Sequence, residues 1–222
     1  MTVESDERVT YVAGLSLGQA SEATGLAVLE RRCRQGRYGD TGAAAYAVRH
    51  LVRYPPGTPS AAIVGALTGV FAEPPLRDAP LVIDQTAVGR NVYDLFQYGR
   101  TGAGVRGLVV TAGHSAGQDD RDGSLVPKKD LVGVLQVLLQ GKRLQVAKGL
   151  EMAGTLADEL QQFRLKAMPL TDDVVEWRER PHDDLVLAVA VAAWQAERGP
   201  WFVVLAFEGE PVPVRRWLTP GS

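Results

Sequence analysis

The chain has 222 residues, 45% of them hydrophobic and 23% charged, which suits one domain or one domain plus a tail with a sizeable core. Its formal net charge of −2 excludes a generic polycation, so nucleic-acid binding would need a local basic surface. Cys33 is the only cysteine, which excludes an intramolecular disulfide and Cys-based zinc sites; with a short acidic N-terminus and no apolar run of membrane-spanning length, a cytoplasmic protein is expected.

In chain order, Val9 to Leu17 reads as a strand ending in a glycine turn, and Gly25 to Arg31 (GLAVLER) as its hairpin partner across the polar connection LGQASEAT. Cys33 to Thr41 is polar and glycine-rich and is expected as a loop. Tyr46 to Tyr54 gives a third strand, completing an antiparallel meander. Pro59 to Phe71 then carries Ile63, Val64, Leu67 and Val70 at helical spacing. Ala79 to Asp84 (APLVID) is short and continuously apolar, as a strand buried on both faces should be. Arg90 to Tyr98 reads as a short helix, Arg106 to Ala112 as a second buried strand, and Gly113 to Gly123 as a loop.

Pro127 to Gly141 is amphipathic, with Leu131, Val134, Leu135, Leu138 and Leu139 on one stripe. Leu150 to Leu160 gives another helix, Phe163 to Leu170 a strand or extended segment, and Pro181 to Ala196 a helix apolar almost all round. The expected architecture is α/β: a mixed five-stranded sheet, a three-strand antiparallel meander followed by parallel strands, flanked by helices. One domain over 9–198 and a C-terminal tail over 199–222 are expected. The right-handed crossover rule sets the Leu81 to Asp84 strand beside the first strand, so their carboxyl ends meet where open α/β sheets bind ligands.

Asp84 ends a buried strand, where a carboxylate needs solvent, a partner or a metal; a turn aspartate before the Arg90 helix would also satisfy it. Asp183 and Asp184 open the most apolar helix, where one suits an N-cap, yet two adjacent carboxylates exceed what a cap needs. A third acid at the end of strand one would complete a magnesium or manganese site. That position holds Ser16, with Glu22 in the following turn a poor substitute. Lys128, Lys129, Lys142, Arg143 and Lys148 flank one helix and could contact phosphates or form a solvated basic face. His182 suits a second-sphere base, a phosphate contact or a local helix-end hydrogen bond. His114, Asp119, Asp120 and Asp122 lack EF-hand spacing and read as a solvated loop. Trp177, Trp194 and Trp201 read as core or partner contacts.

Five segments together resemble the nuclease domain of phage large terminase subunits, in the same order: GLSLGQASEATGLAVLER, LVIDQTAVGRNVYDLF, VPKKDLVGVLQVLLQGKRLQVAKGL, the helix with LADELQQF, and HDDLVLAVAVAAW. The resemblance spans nearly all of Val9 to Ala196. It implies an RNase H-like fold and a two-metal endonuclease, using Mg2+ or Mn2+, that cuts double-stranded DNA during genome packaging, together with other phage packaging proteins, in the host cytoplasm. The family's carboxylates fall on Asp84, Asp183 and Asp184. Its first aspartate, in a GVDxGQ-like motif, falls on Ser16, which implies weak metal binding and weakened or absent catalysis. The alternative is a non-catalytic domain of the same fold that binds nucleic acid or packaging partners. No G-x-x-x-x-G-K-[ST] motif occurs, so the sequence carries no nucleotide motor.

Overall fold

Strands β1 (Glu7–Ser16), β2 (Thr24–Gly36) and β3 (Gly39–Tyr54) pair antiparallel in succession. Their apolar residues alternate between two faces, as the pleat requires. Val12, Ala27, Leu29, Val48 and Leu51 enter one core cluster, and Ala13, Leu15, Leu26 and Val28 the other. The computed structural model describes residues 7–36, 39–88, 90–111, 117–118, 124–147, 149–166 and 183–198.

Helix α1 (Ser60–Val70) buries Ile63 and Leu67 and returns the chain to β4 (Pro80–Asp84), whose five residues are all buried. β4 lies parallel to β1, where the crossover rule sets it. Helix α2 (Arg90–Tyr98) leads to β5 (Gly104–Thr111), parallel to β4. The short strands β6 (Gly117–Gln118) and β7 (Ser124–Pro127) extend the sheet beyond β5, and β7 feeds α3 (Lys128–Gln140) directly. β8 (Leu144–Val146) joins the opposite edge, parallel to β3, and α4 (Ala153–Lys166) and α5 (Asp184–Arg198) follow. The strand order is β6-β7-β5-β4-β1-β2-β3-β8. The central five, β5-β4-β1-β2-β3, make the RNase H-like arrangement of a meander extended by parallel strands.

The sheet separates two cores. On one face Ile63, Leu67 and Phe71 of the α1 region and Phe96 of α2 pack on Leu15, Leu26, Leu81 and Ile83. On the other, α5 lies on β1 and β2 and is covered in turn by α3 and α4. That sandwiched position explains its composition: all of Leu185 to Ala196 except Leu187 is buried. Gly14 and Gly25 allow the close approach. A Cβ at Gly14 would collide with the Ala188 carbonyl oxygen, and one at Gly25 with the Asp184 carbonyl oxygen. Truncating a buried core leucine such as Leu135 of α3 would cost about 2–5 kcal/mol.

Three expectations need correction. The sheet has eight strands rather than five, because β6, β7 and β8 are too short to show an apolar alternation. Cys33 to Thr41 is not a loop throughout: Arg34 pairs with Thr41, Gln35 with Asp40 and Gly36 with Gly39, so the β2–β3 hairpin runs on. Backbone pairing there proceeds without an apolar face. Phe163 to Lys166 continues α4 rather than starting a strand, with Phe163 buried on the stripe begun by Leu156. The segments 167–170 and 199–222 lie outside the described residues. Among the described residues, no helix is long and apolar enough to cross a membrane.

Candidate metal and nucleic-acid site

One row of register partners crosses the middle of the sheet. Arg53 of β3 pairs with Gly25 of β2, Gly25 with Ser16 of β1, Ser16 with Asp84 of β4, and Asp84 with Leu108 of β5. Register partners project from the same face, at strand spacings of about 5 Å. The face is the one covered by α5, since Val12, Leu51 and Val82, two or four residues away on the same strands, belong to the α5 core. Ser16 and Asp84 are 6% and 7% exposed. Both close their strands, so they stand at the carboxyl edge of the parallel part of the sheet, as the sequence predicts.

Asp84 is held by its own turn. Its Oδ1 accepts from the Thr86 backbone N–H at 2.9 Å and from the Thr86 hydroxyl, and Thr86 Oγ1 accepts from the Val110 N–H at 2.8 Å. The turn that could have explained Asp84 structurally is therefore present, and it also fixes the carboxylate's direction.

Helix α5 brings Asp184 to the same row. Its first residue rests on Gly25, the strand neighbour of Ser16. Asp183 occupies the N-cap, its carbonyl accepting from Leu187 N–H at 3.0 Å. Asp184 Oδ1 accepts from Arg53 Nη2 at 2.8 Å, an ion pair between the penultimate residue of β3 and the first turn of α5. Asp184 Oδ2 is buried and has no hydrogen-bond partner among the described residues.

Sequence reasoning missed two members of this constellation, Arg53 and Glu159. Glu159 of α4 is 2% exposed, and its Oε2 accepts from the Val186 backbone N–H at 2.8 Å. Burial, helped by the charges of Asp184 and Asp183 and opposed by the Val186 hydrogen bond and Arg53, pushes its carboxyl up to about 7. Its Oε1 is buried and unpartnered among the described residues. The signal was in the helix period: Glu159 lies between Leu156 and Phe163 on the buried stripe, at i+3 from one and i−4 from the other.

The donor set is all oxygen, which fits a hard divalent cation in kind. It falls short in number: among the described residues no group of three or more His, Cys, Asp or Glu side chains is gathered to hold a metal. Asp84, Asp183 and Asp184 are therefore not gathered as one set of three ligands, and Ser16 adds only a neutral hydroxyl to the row. Glu22 does not join the row, because its Oε2 accepts from Gln19 N–H at 3.1 Å within the exposed β1–β2 turn.

The four basic residues proposed for phosphate do not form one patch. Lys128 and Lys129 begin α3 just after β7, at the same carboxyl edge as Asp84 and two strands away. Lys142 and Arg143 follow the far end of α3, about 20 Å along the helix. Arg143 donates to Glu197 at 2.6 Å and to the Ala44 carbonyl at 2.6 Å, beside Tyr46, whose hydroxyl also donates to Glu197. Lys142 is exposed. Trp194 is buried with the Arg198 guanidinium over its ring at 4.6 Å, so it is a core residue. His182, Lys148, Trp177, Trp201, His114, Asp119, Asp120 and Asp122 lie outside the described residues.

Comparison with solved structures places this arrangement. The large terminase nuclease from thermophilic phage G20c superposes with a TM-score of 0.51, at 20% identity, over 84% of this chain and 82% of that one. The same nuclease with bound zinc gives a TM-score of 0.50 at 20% identity, over 84% and 81%. The chain has the fold of the phage large terminase nuclease. At that identity the likeness is one of fold. No protein-family model matches the chain. No curated protein matches it either.

Proposed function

We propose that this chain is a terminase-type nuclease domain that binds double-stranded DNA and retains a weakened, metal-dependent endonuclease site. The observation that carries the reading is the pairing of Ser16 with Asp84 beneath the Asp183–Asp184 end of α5. Asp84, Asp183 and Asp184 would hold Mg2+ or Mn2+. When bound, such an ion activates water and offsets charge on the leaving oxygen of a phosphodiester. One G20c structure carries bound zinc, which supports a metal in a protein of this fold. Ser16 supplies a neutral hydroxyl where a carboxylate would complete the set, so affinity for the ion is low.

The chain's own residues act by position. The Thr86 turn aims Asp84, and Arg53 fixes one oxygen of Asp184. Lys128 and Lys129, at the same sheet edge, are placed to meet DNA phosphates. Lys142 and Arg143, the latter tied to Glu197, would meet a duplex only along a longer track. We assign the domain to phage- or prophage-encoded packaging in the host cytoplasm, with other packaging proteins as partners.

A second reading, a non-catalytic domain that binds DNA or packaging partners, is favoured by one observation: among the described residues no three carboxylates are gathered to hold a metal. Plasmid cleavage in millimolar manganese separates the two, comparing the parent with Ser16→Asp and Asp84→Ala. Cleavage by the parent that Asp84→Ala abolishes supports the weakened nuclease. Cleavage only by Ser16→Asp supports the binding domain. Cleavage unaffected by Asp84→Ala refutes the site.

A further inference from the structure

The α5 N-terminus is capped from another helix. In an isolated helix, the N-cap side chain takes the N–H of the second or third residue. Here the third residue of α5, Val186, donates its N–H to Glu159 of α4 at 2.8 Å. The N-cap is Asp183, a proposed site carboxylate. A cap arriving from α4 takes the Val186 N–H without drawing on Asp183's own side chain. It also pins the α5 end in a plane set by two other elements: Gly25 of β2 beneath it and Arg53 of β3 beside it.

Burying a glutamate for this purpose is costly, since its second oxygen has no hydrogen-bond partner among the described residues. A serine or threonine from α4 could not reach as far, and a solvent-facing cap would not require burial. The feature makes sense where the position of the helix end matters more than the stability lost.

We infer that Glu159 is a positioning residue of the site: by accepting the Val186 N–H it fixes where α5 presents Asp183 to Asp84 and Ser16. The inference rests on the reading of Asp183 as a site carboxylate. It assigns Glu159 no contact with metal or DNA.

Two substitutions separate acceptor from charge. Glu159→Gln keeps an oxygen for the Val186 N–H and removes the charge. Glu159→Asp keeps the charge and withdraws the acceptor by one methylene. In the full metal-free chain labelled with 13C at aspartate, the Asp183 carboxyl resonance and the Val186 amide resonance are recorded for the parent and both variants, followed by manganese titration. The Asp183 resonance should stay in place in Glu159→Gln and shift in Glu159→Asp. Manganese affinity should hold in Glu159→Gln and fall by about tenfold or more in Glu159→Asp, the usual effect of disturbing a residue that orients a ligand. Equal loss of manganese affinity in both variants would make Glu159 a ligand and overturn the inference. An Asp183 resonance unmoved in Glu159→Asp overturns it as well. If no form, the parent included, binds manganese, the metal reading fails by itself, and the Asp183 resonance still decides the positioning role.

Discussion

Ser16 of β1 and Asp84 of β4 are register partners on adjacent parallel strands, both buried and both facing α5. Strand spacing sets their backbones about 5 Å apart, close enough for two side chains to share one cation. Ser16→Asp should therefore have opposite effects without and with metal. Without metal, the new carboxylate faces Asp84 in a buried row, and thermal unfolding should show a loss of about 1 kcal/mol or more from like-charge repulsion. With manganese at about a hundred times its dissociation constant, binding should return roughly 2.7 kcal/mol. A melting temperature of Ser16→Asp that does not respond to manganese would refute the shared site.

Gly14 and Gly25 should differ in what their alanine variants damage. Each Cβ would strike an α5 carbonyl oxygen, so each variant should lose about 1–3 kcal/mol as the helix is pushed off the sheet. Gly14→Ala displaces α5 at Ala188, one turn beyond the end, whereas Gly25→Ala displaces the end itself at Asp184. Denaturant titration should show both losses, and metal titration should show the larger defect in Gly25→Ala.

Arg53 should matter chiefly through Asp184. Arg53→Met leaves a nearly buried carboxylate without its ion-pair partner, at a cost of about 3 kcal/mol, the lower end of the range because the guanidinium keeps some solvent. The double variant Arg53→Met/Asp184→Asn should recover part of that loss, giving a coupling energy that a double-mutant cycle measures. Strictly additive losses would mean the 2.8 Å pair contributes nothing specific.

Two buried groups give stability opposite dependences on pH. Burial lowers His50 from 6.5 to about 4, so the folded state binds its proton less tightly than the unfolded chain. Its contribution is complete above pH 6.5 and is lost as pH falls towards 4. Glu159 is raised from 4.5 to about 7 by burial, so its contribution is complete below 4.5 and is lost as pH rises through 7. His50→Gln should flatten the acid side of the stability profile. Glu159→Gln should gain on the parent as pH rises from 4.5 to 7. Unchanged profiles in both variants would refute the burial of these groups.

The strands that bury an apolar face were legible in the sequence, and so was the meeting of β1 with β4, because a chirality rule decides it. The outer hairpin was not legible. Its outer pairs, Arg34 with Thr41, Gln35 with Asp40 and Gly36 with Gly39, are polar or glycine, so no apolar alternation marks them. Within the site, Ser16, Asp84 and Asp183 stood out by lying at the ends of elements. Arg53 sits inside a strand, and its role depends on Gly25 opposite it leaving room for α5. Glu159 could be found only by asking why a carboxylate falls on an apolar stripe.

The glycine seats of α5 separate what the fold needs from what the chemistry needs. Backbone carbonyls of α5 rest on Gly14 and Gly25, whereas Ser16, two residues from Gly14 along β1 and the register partner of Gly25, contributes no apolar surface to the helix packing. Position 16 can therefore exchange a charged side chain for a neutral one while the architecture stands. A scaffold built this way tolerates the gain or loss of its reactive group as a local edit, whereas adding a single methyl group at position 14 or 25 would unseat a whole helix.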